Sequence, residues 1–237
     1  MKCIQSTRQS FVVQNAALMR HLVSLIAFAL AASAFPAPTG AASTVHAHVA
    51  GPAGEPVENA AVFLRPVSGQ KLPNHAPLPA SIAQHDREFV PYLTVVQTGA
   101  AVSFPNQDPI RHHVYSFSKP KKFEIKLYAG DAPDPVIFDQ PGVVTMGCNV
   151  HDWMLGFVFV VDTHWFGKTG ADGLVRIDAV ADGEYEAHVW HPRRRHEVAP
   201  QRIKVAGAME EPLQFVIEVA PRKPHYKPPL DPLHYTR

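Results

Sequence analysis

Cysteine is scarce in this chain: two residues in 237, Cys3 and Cys148. If Cys3 is lost with a leader, one thiol remains and an internal disulfide is excluded. Acidic residues are missing from the first 34 positions, where Lys2, Arg8 and Arg20 surround or precede an apolar run from Leu22 to Ala32, followed by Ala32-Ser33-Ala34. That order of basic, apolar and small residues is an export signal, here expected over residues 1–34 with cleavage near Ala34. Long apolar runs are missing too. The leader's run is roughly 11 residues, whereas a membrane-crossing helix needs about 20. Cys3 lacks the small-residue context of a lipid attachment site. The mature chain is therefore expected in the periplasm, with no membrane span. Without Lys2, Arg8 and Arg20 it carries 19 basic and 21 acidic residues, a net charge of −2, which implies no nucleic-acid partner. There is no Ser-His-Asp order, no Gly-rich phosphate loop, no zinc-protease helix and no paired-carboxylate motif, so catalysis by this chain alone is not expected.

Helical periodicity is absent as well, since no stretch after the leader keeps it for three turns. Prolines (23) and glycines (14) instead punctuate short runs rich in Val, Ile and Phe, the pattern of an all-β protein. Expected strands are 44–49, 60–65, 92–97, 101–104, 113–117, 123–127, 142–146, 156–161, 174–177, 185–190, 201–205 and 213–219. Tyr185, Ala187 and Val189 alternate with Glu186 and His188, which suits a sheet with one wet face. From Pro221 to Arg237 proline removes ladder donors, and an extended tail is expected over 221–237.

The chemistry concentrates around the remaining thiol. In Cys148-Asn149-Val150-His151-Asp152-Trp153-Met154 a thiolate, an imidazole and a thioether recur every third residue, and a second imidazole lies upstream in Asn106-Gln107-Asp108-Pro109-Ile110-Arg111-His112-His113. A lone thiol in an oxidising compartment invites oxidation unless it is buried or bound to metal. Two histidines, one cysteine and an axial methionine form the trigonal donor set of a blue-copper electron-transfer centre, because soft sulfur selects copper over hard cations. Alternation along a strand puts His112 and His113 on opposite faces, so only one of them ligates. His46, His48, His75, His85, His188, His191 and His196 read as scattered surface histidines rather than a second metal site, for which His46 and His48, on one strand face, are the best of the weak cases. Arg193-Arg194-Arg195 reads as a solvated loop or as a dock for an acidic redox partner.

Over roughly Glu88 to Val161 the residues resemble the cupredoxin family, with plastocyanin and amicyanin nearest in pattern. The matching features are the strand Ala101-Val102-Ser103-Phe104, Asn106, His112 six residues later, and the short Cys148-x2-His151-x2-Met154 motif leading into Gly156 and Phe157-Val158-Phe159-Val160-Val161. The resemblance implies a Greek-key sandwich holding one type 1 copper on His112, Cys148, His151 and Met154, with Asn106 and His113 in the surrounding shell. It favours His112 over His113 as the ligand. Relatives often carry proline after the second histidine, whereas this chain has Asp152-Trp153, which are candidates for partner docking beside a solvent-facing His151. Trp153 is read equally well as an anchor of the loop.

Val45 to Val62, then Lys168 to Leu174 and Asp182-Gly183-Glu184-Tyr185, resemble the two halves of a carboxypeptidase regulatory-like domain, a small transthyretin-like or immunoglobulin-like sandwich. A copper domain over 71–161 is therefore expected as an insertion into a sandwich made of 44–70 and 162–220, since surface loops tolerate insertions. Successive β units without insertion are the alternative. The arrangement also resembles plastocyanin-like methylamine-utilisation proteins. The implied function is single-electron transfer between redox partner proteins. Copper delivery or storage, and a non-redox interaction module, are the competing expectations.

Overall fold

The computed structural model describes residues 42–67, 75–130, 133–207, 209 and 211–224. The expected leader, residues 68–74 and the tail beyond 224 lie outside the described residues. Every regular element described is a strand. In chain order the first group is β1 (Ser43–Ala50), β2 (Ala61–Pro66), β3 (Ala80–Ser81), β4 (Ala83–His85), β5 (Glu88–Val90) and β6 (Leu93–Gln97). Next come β7 (Ala100–Ser103), β8 (His112–Ser118), β9 (Lys121–Tyr128), β10 (Val136–Phe138), β11 (Gly142–Cys148) and β12 (His151–Val161). The last are β13 (Phe166–Lys168), β14 (Leu174–Val180), β15 (Gly183–Trp190), β16 (Gln201–Val205) and β17 (Leu213–Val216).

These strands build five sheets; one is the two-stranded β4-β5 hairpin, and the other four stack through three apolar layers. The first sheet, β14-β1-β17, faces the second, β13-β2-β15-β16. Between them lie Val45, Ala47 and Val49 of β1, Val62 and Leu64 of β2, and Tyr185, Ala187 and Val189 of β15. Alternation explains which residues go there. In β2, Val62 and Leu64 turn toward this core, while Ala61 and Phe63 turn the other way. The third sheet, β6-β12-β11-β8-β9, and the fourth, β10-β7-β3, enclose a second core whose buried members, among the described residues, lie between Ile82 and Val160.

Strand β12 joins the two halves. Its even-numbered residues Val158 and Val160 enter the core shared with the fourth sheet, and its odd-numbered residues Phe157, Phe159 and Val161 face the second sheet. There Trp190 stacks on Phe159 at 4.6 Å between centroids, and Phe63 meets the same ring edge-on at 5.5 Å. An unbroken apolar run signals a strand buried on both faces, and residues 156–161 are all buried. The packing thus explains why Phe157 to Val161 shows no polar alternation.

His191, next to Trp190, is buried, and its Nδ1 accepts the Arg193 backbone N–H at 3.0 Å. Burial, reinforced by the Arg193 charge, holds its pKa down at about 4. The unfolded chain takes up this proton near pH 6.5, whereas the folded chain refuses it until about pH 4, so this group's contribution is complete above pH 6.5 and declines as pH falls toward 4. We expect urea titrations of the metal-free protein to show a loss of about 2 kcal/mol between pH 7 and pH 5 from this residue alone. A flat stability profile across that interval would contradict the assignment.

Candidate metal centre

Within the short Cys148-to-Met154 segment, Cys148-Asn149-Val150-His151 folds as a tight hairpin. Cys148 ends β11, His151 begins β12, and the two pair directly. The next ladder pair is Gly147 with Leu155, so Asp152, Trp153 and Met154 are bulged out of β12. Bulges re-aim side chains, and here Met154 turns inward to the core that also holds Cys148. His112 arrives from the neighbouring strand β8, whose burial alternates so that His112 is enclosed and His113 is not.

Three donors converge. Cys148 Sγ lies 3.6 Å from His151 Nδ1 and 3.9 Å from His112 Nδ1, and the three candidate ligand atoms fall within 4.8 Å of one another. All three residues are buried. Met154 is 2 % exposed in the same core. His113 does not join them: its Nε2 meets Glu124 Oε1 at 2.9 Å and its ring packs 5.6 Å from Tyr115.

The surroundings of His112 suit a metal-binding imidazole. Its Nε2 lies 2.7 Å from Asp108 Oδ2, so donation of Nε2–H to the carboxylate leaves the Nδ1 lone pair directed at the sulfur. This carboxylate–histidine pairing fixes tautomer and ring orientation. Burial lowers the His112 pKa, with Asp108 opposing and Arg87 assisting, so the ring is neutral at pH 7. Burial would raise the Asp108 pKa, but the Arg87 amide, the His112 ring and the Asp86 amide outweigh it and bring it below the usual carboxylate range. Both amides come from the turn joining β4 to β5, at 2.7 Å from Asp86 and 2.8 Å from Arg87. Asp86 and Arg87 have φ of 49° and 56°, a left-handed conformation rare outside glycine.

Asn106 locks the segment that delivers the ligand. Its Nδ2 donates to the Ile110 carbonyl at 2.7 Å and to the Tyr128 carbonyl at 3.2 Å, and its Oδ1 accepts the Asp108 amide at 2.9 Å. Tyr128 hydrogen-bonds Gln84 and the Phe104 carbonyl, and burial pushes its pKa up to about 12. Asp108 is the residue to which the sequence reading gave no role. Its only sequence signal is its position four residues before His112.

The expectation of a solvent-facing His151 is corrected: the residue is 1 % exposed. Trp153 packs 5.2 Å from its ring and His112 4.9 Å, while the indole Nε1–H donates to the Arg87 carbonyl at 3.2 Å. Trp153 is thus an anchor over the site. Burial, then the His112 and Arg87 charges, lower the His151 pKa to about 4. Asp152 is exposed beside it.

No family model matches the chain, and neither does any curated protein. Solved structures do. A Cu-containing nitrite reductase from Thermus scotoductus SA-01 is 23 % identical with a TM-score of 0.34, the match covering 41 % of this chain and 25 % of that one. The chain thus spans a quarter of that enzyme's length. A pseudoazurin from Sinorhizobium meliltoi is 18 % identical at a TM-score of 0.29, covering 37 % of this chain and 76 % of its own. The P52G mutant of amicyanin in its reduced Cu(I) form is 15 % identical at 0.32, covering 42 % and 98 %. At such identities and scores, the functional reading rests on the donor set itself.

Removing the carboxylate from Asp108 tests the assembly. Asp108→Asn is expected to weaken copper binding about 10–100-fold, the usual effect of losing a partner that orients a ligand, with the thiolate still present. Competition titration against a copper chelator measures it, and unchanged affinity would show that His112 needs no such support.

Proposed function

We propose that this chain is a periplasmic copper protein that carries single electrons between partner proteins. The observation that carries the reading is the buried convergence of Cys148, His112 and His151, with the Nδ1 atoms of both rings facing one sulfur. The donor set fits copper: thiolate and thioether are soft ligands, and imidazole serves both oxidation states. Copper bound there supplies reversible one-electron exchange between Cu(I) and Cu(II). Cys148 would hold the copper through its thiolate, His112 and His151 through their imidazoles and Met154 through its thioether.

The remaining residues hold these four. Asp108 and Asn106 fix His112, Trp153 covers His151, and the β11–β12 ladder fixes Cys148. Ligands held this firmly move little when the oxidation state changes, which lowers the reorganisation that slows electron transfer. We propose further that 71–161 is a cupredoxin-like unit inserted in a sandwich of 44–70 and 162–220, and that 1–34 directs export. An amine-oxidising respiratory chain is a setting consistent with the sequence resemblance.

Titration of the purified mature protein with Cu(II), followed by visible absorption and EPR, tests the reading. One equivalent producing an intense thiolate-to-copper band with a narrow hyperfine splitting is the expected result. Stoichiometric binding without that band would favour delivery or storage, and no binding would leave an interaction module.

A further inference from the structure

The third sheet is covered on only part of its outer face. The β6–β12 side lies under Phe63 and Trp190, but on β8 the residues His113, Tyr115 and Phe117 form an aromatic row, with ring centroids 5.6 and 5.2 Å apart. Phe117 is 79 % exposed, and Leu155, on the same surface, is 40 % exposed. Leu155 also lines a neighbouring groove of about 480 Å³ floored by Tyr92 and Phe157. Five cations line that groove: Arg193, Arg194, Arg195, Arg222 and Lys223. Among the described residues, Glu197 pairs with Arg194, Glu218 with Arg195 and Glu88 with Arg222. A chain whose mature net charge is negative thus presents a local cationic excess around an apolar floor.

We infer that this continuous surface, from Phe117 through Leu155 to the arginine-lined groove, docks an acidic protein partner. Apolar contact at the centre and opposite charge at the rim is the composition of a transient docking site. The patch reaches the candidate metal centre through the backbone. Tyr115 pairs with Gly147, and a Cβ on Gly147 would meet the Tyr115 ring at 3.0 Å. Gly147 is glycine because the ring lies on it, and the next residue is Cys148. A partner seated on Tyr115 is therefore one residue from the thiolate, whereas His151 is enclosed. The partner's role as electron donor or acceptor rests on the copper reading; the docking itself does not.

The probe is the peptide acetyl-Glu-Glu-Leu-Phe-Glu-Glu-amide, titrated into isotope-labelled full-length mature protein without copper and followed by backbone amide shifts. Shifts are expected along 113–117, 155–157 and 193–195, with affinity falling about tenfold or more between 20 and 300 mM NaCl as the charges are screened. The double variant Arg195→Glu with Lys223→Glu should weaken binding about tenfold or more. Phe117→Ser, at an exposed position, should weaken it with no change in melting temperature. Shifts confined to another surface, salt-independent binding, equal binding of the lysine analogue of the peptide, or no binding at millimolar concentration would each overturn the inference. Because the readout needs no metal, a bound peptide with no blue band in the copper titration would sink the electron-carrier reading and leave the docking surface standing.

Discussion

Cys148→Ser is expected to abolish the intense visible band of the copper-loaded protein and its reversible redox response. A hydroxyl is a hard, weakly acidic donor, while the site offers two neutral imidazoles and a thioether that suit a soft ion. The variant should stay folded, because serine is only slightly smaller and the β11–β12 ladder is made by backbone groups. Residual copper binding through His112 and His151 is compatible with this account; a retained intense band is not. The melting temperature of the metal-free variant, close to that of the metal-free parent, separates loss of the ligand from loss of the fold.

The second large effect belongs to the layer between the sandwiches. Phe159→Ala removes a ring that stacks on Trp190 and meets Phe63, in a layer with few ways to collapse. The expected cost is about 3–5 kcal/mol, a fall in melting temperature of roughly 6–20 °C for a chain of this size. The ligand-bearing core lies on the other face of β12, so the copper spectrum of the folded variant should be unchanged. A stability loss below about 1 kcal/mol would mean that the two halves gain little from each other. Expressing residues 75–161 alone tests the same layer: Leu93, Phe157, Phe159 and Val161 would become exposed, and aggregation is the expected outcome.

Much of this architecture was legible because strands with one buried face alternate. The runs at 44–49, 185–190 and 201–205 fall within β1, β15 and β16. The short strands β3, β4, β5, β10 and β13, of two or three residues each, carry too little pattern to read. They exist because a partner strand supplies their hydrogen bonds. The spacing of Cys148, His151 and Met154 marked one short segment as the place of the chemistry, but did not show that a hairpin with a three-residue bulge forms there. A bulge depends on the register of the whole ladder and leaves no local mark. The role of Asp108 was hidden for a similar reason, since the amides that hold it come from residues 86 and 87, about twenty positions upstream. The burial of His151 depends on Trp153 folding back to the Arg87 carbonyl, a contact between distant segments.

The most direct test of electron carriage is protein-film voltammetry of the copper-loaded mature protein. A reversible one-electron couple, with a midpoint stable over repeated cycles and absent in Cys148→Ser, is the result this account predicts. Copper that is reduced once and then lost from the protein, or that gives no couple while remaining bound, would contradict it and point to delivery or storage.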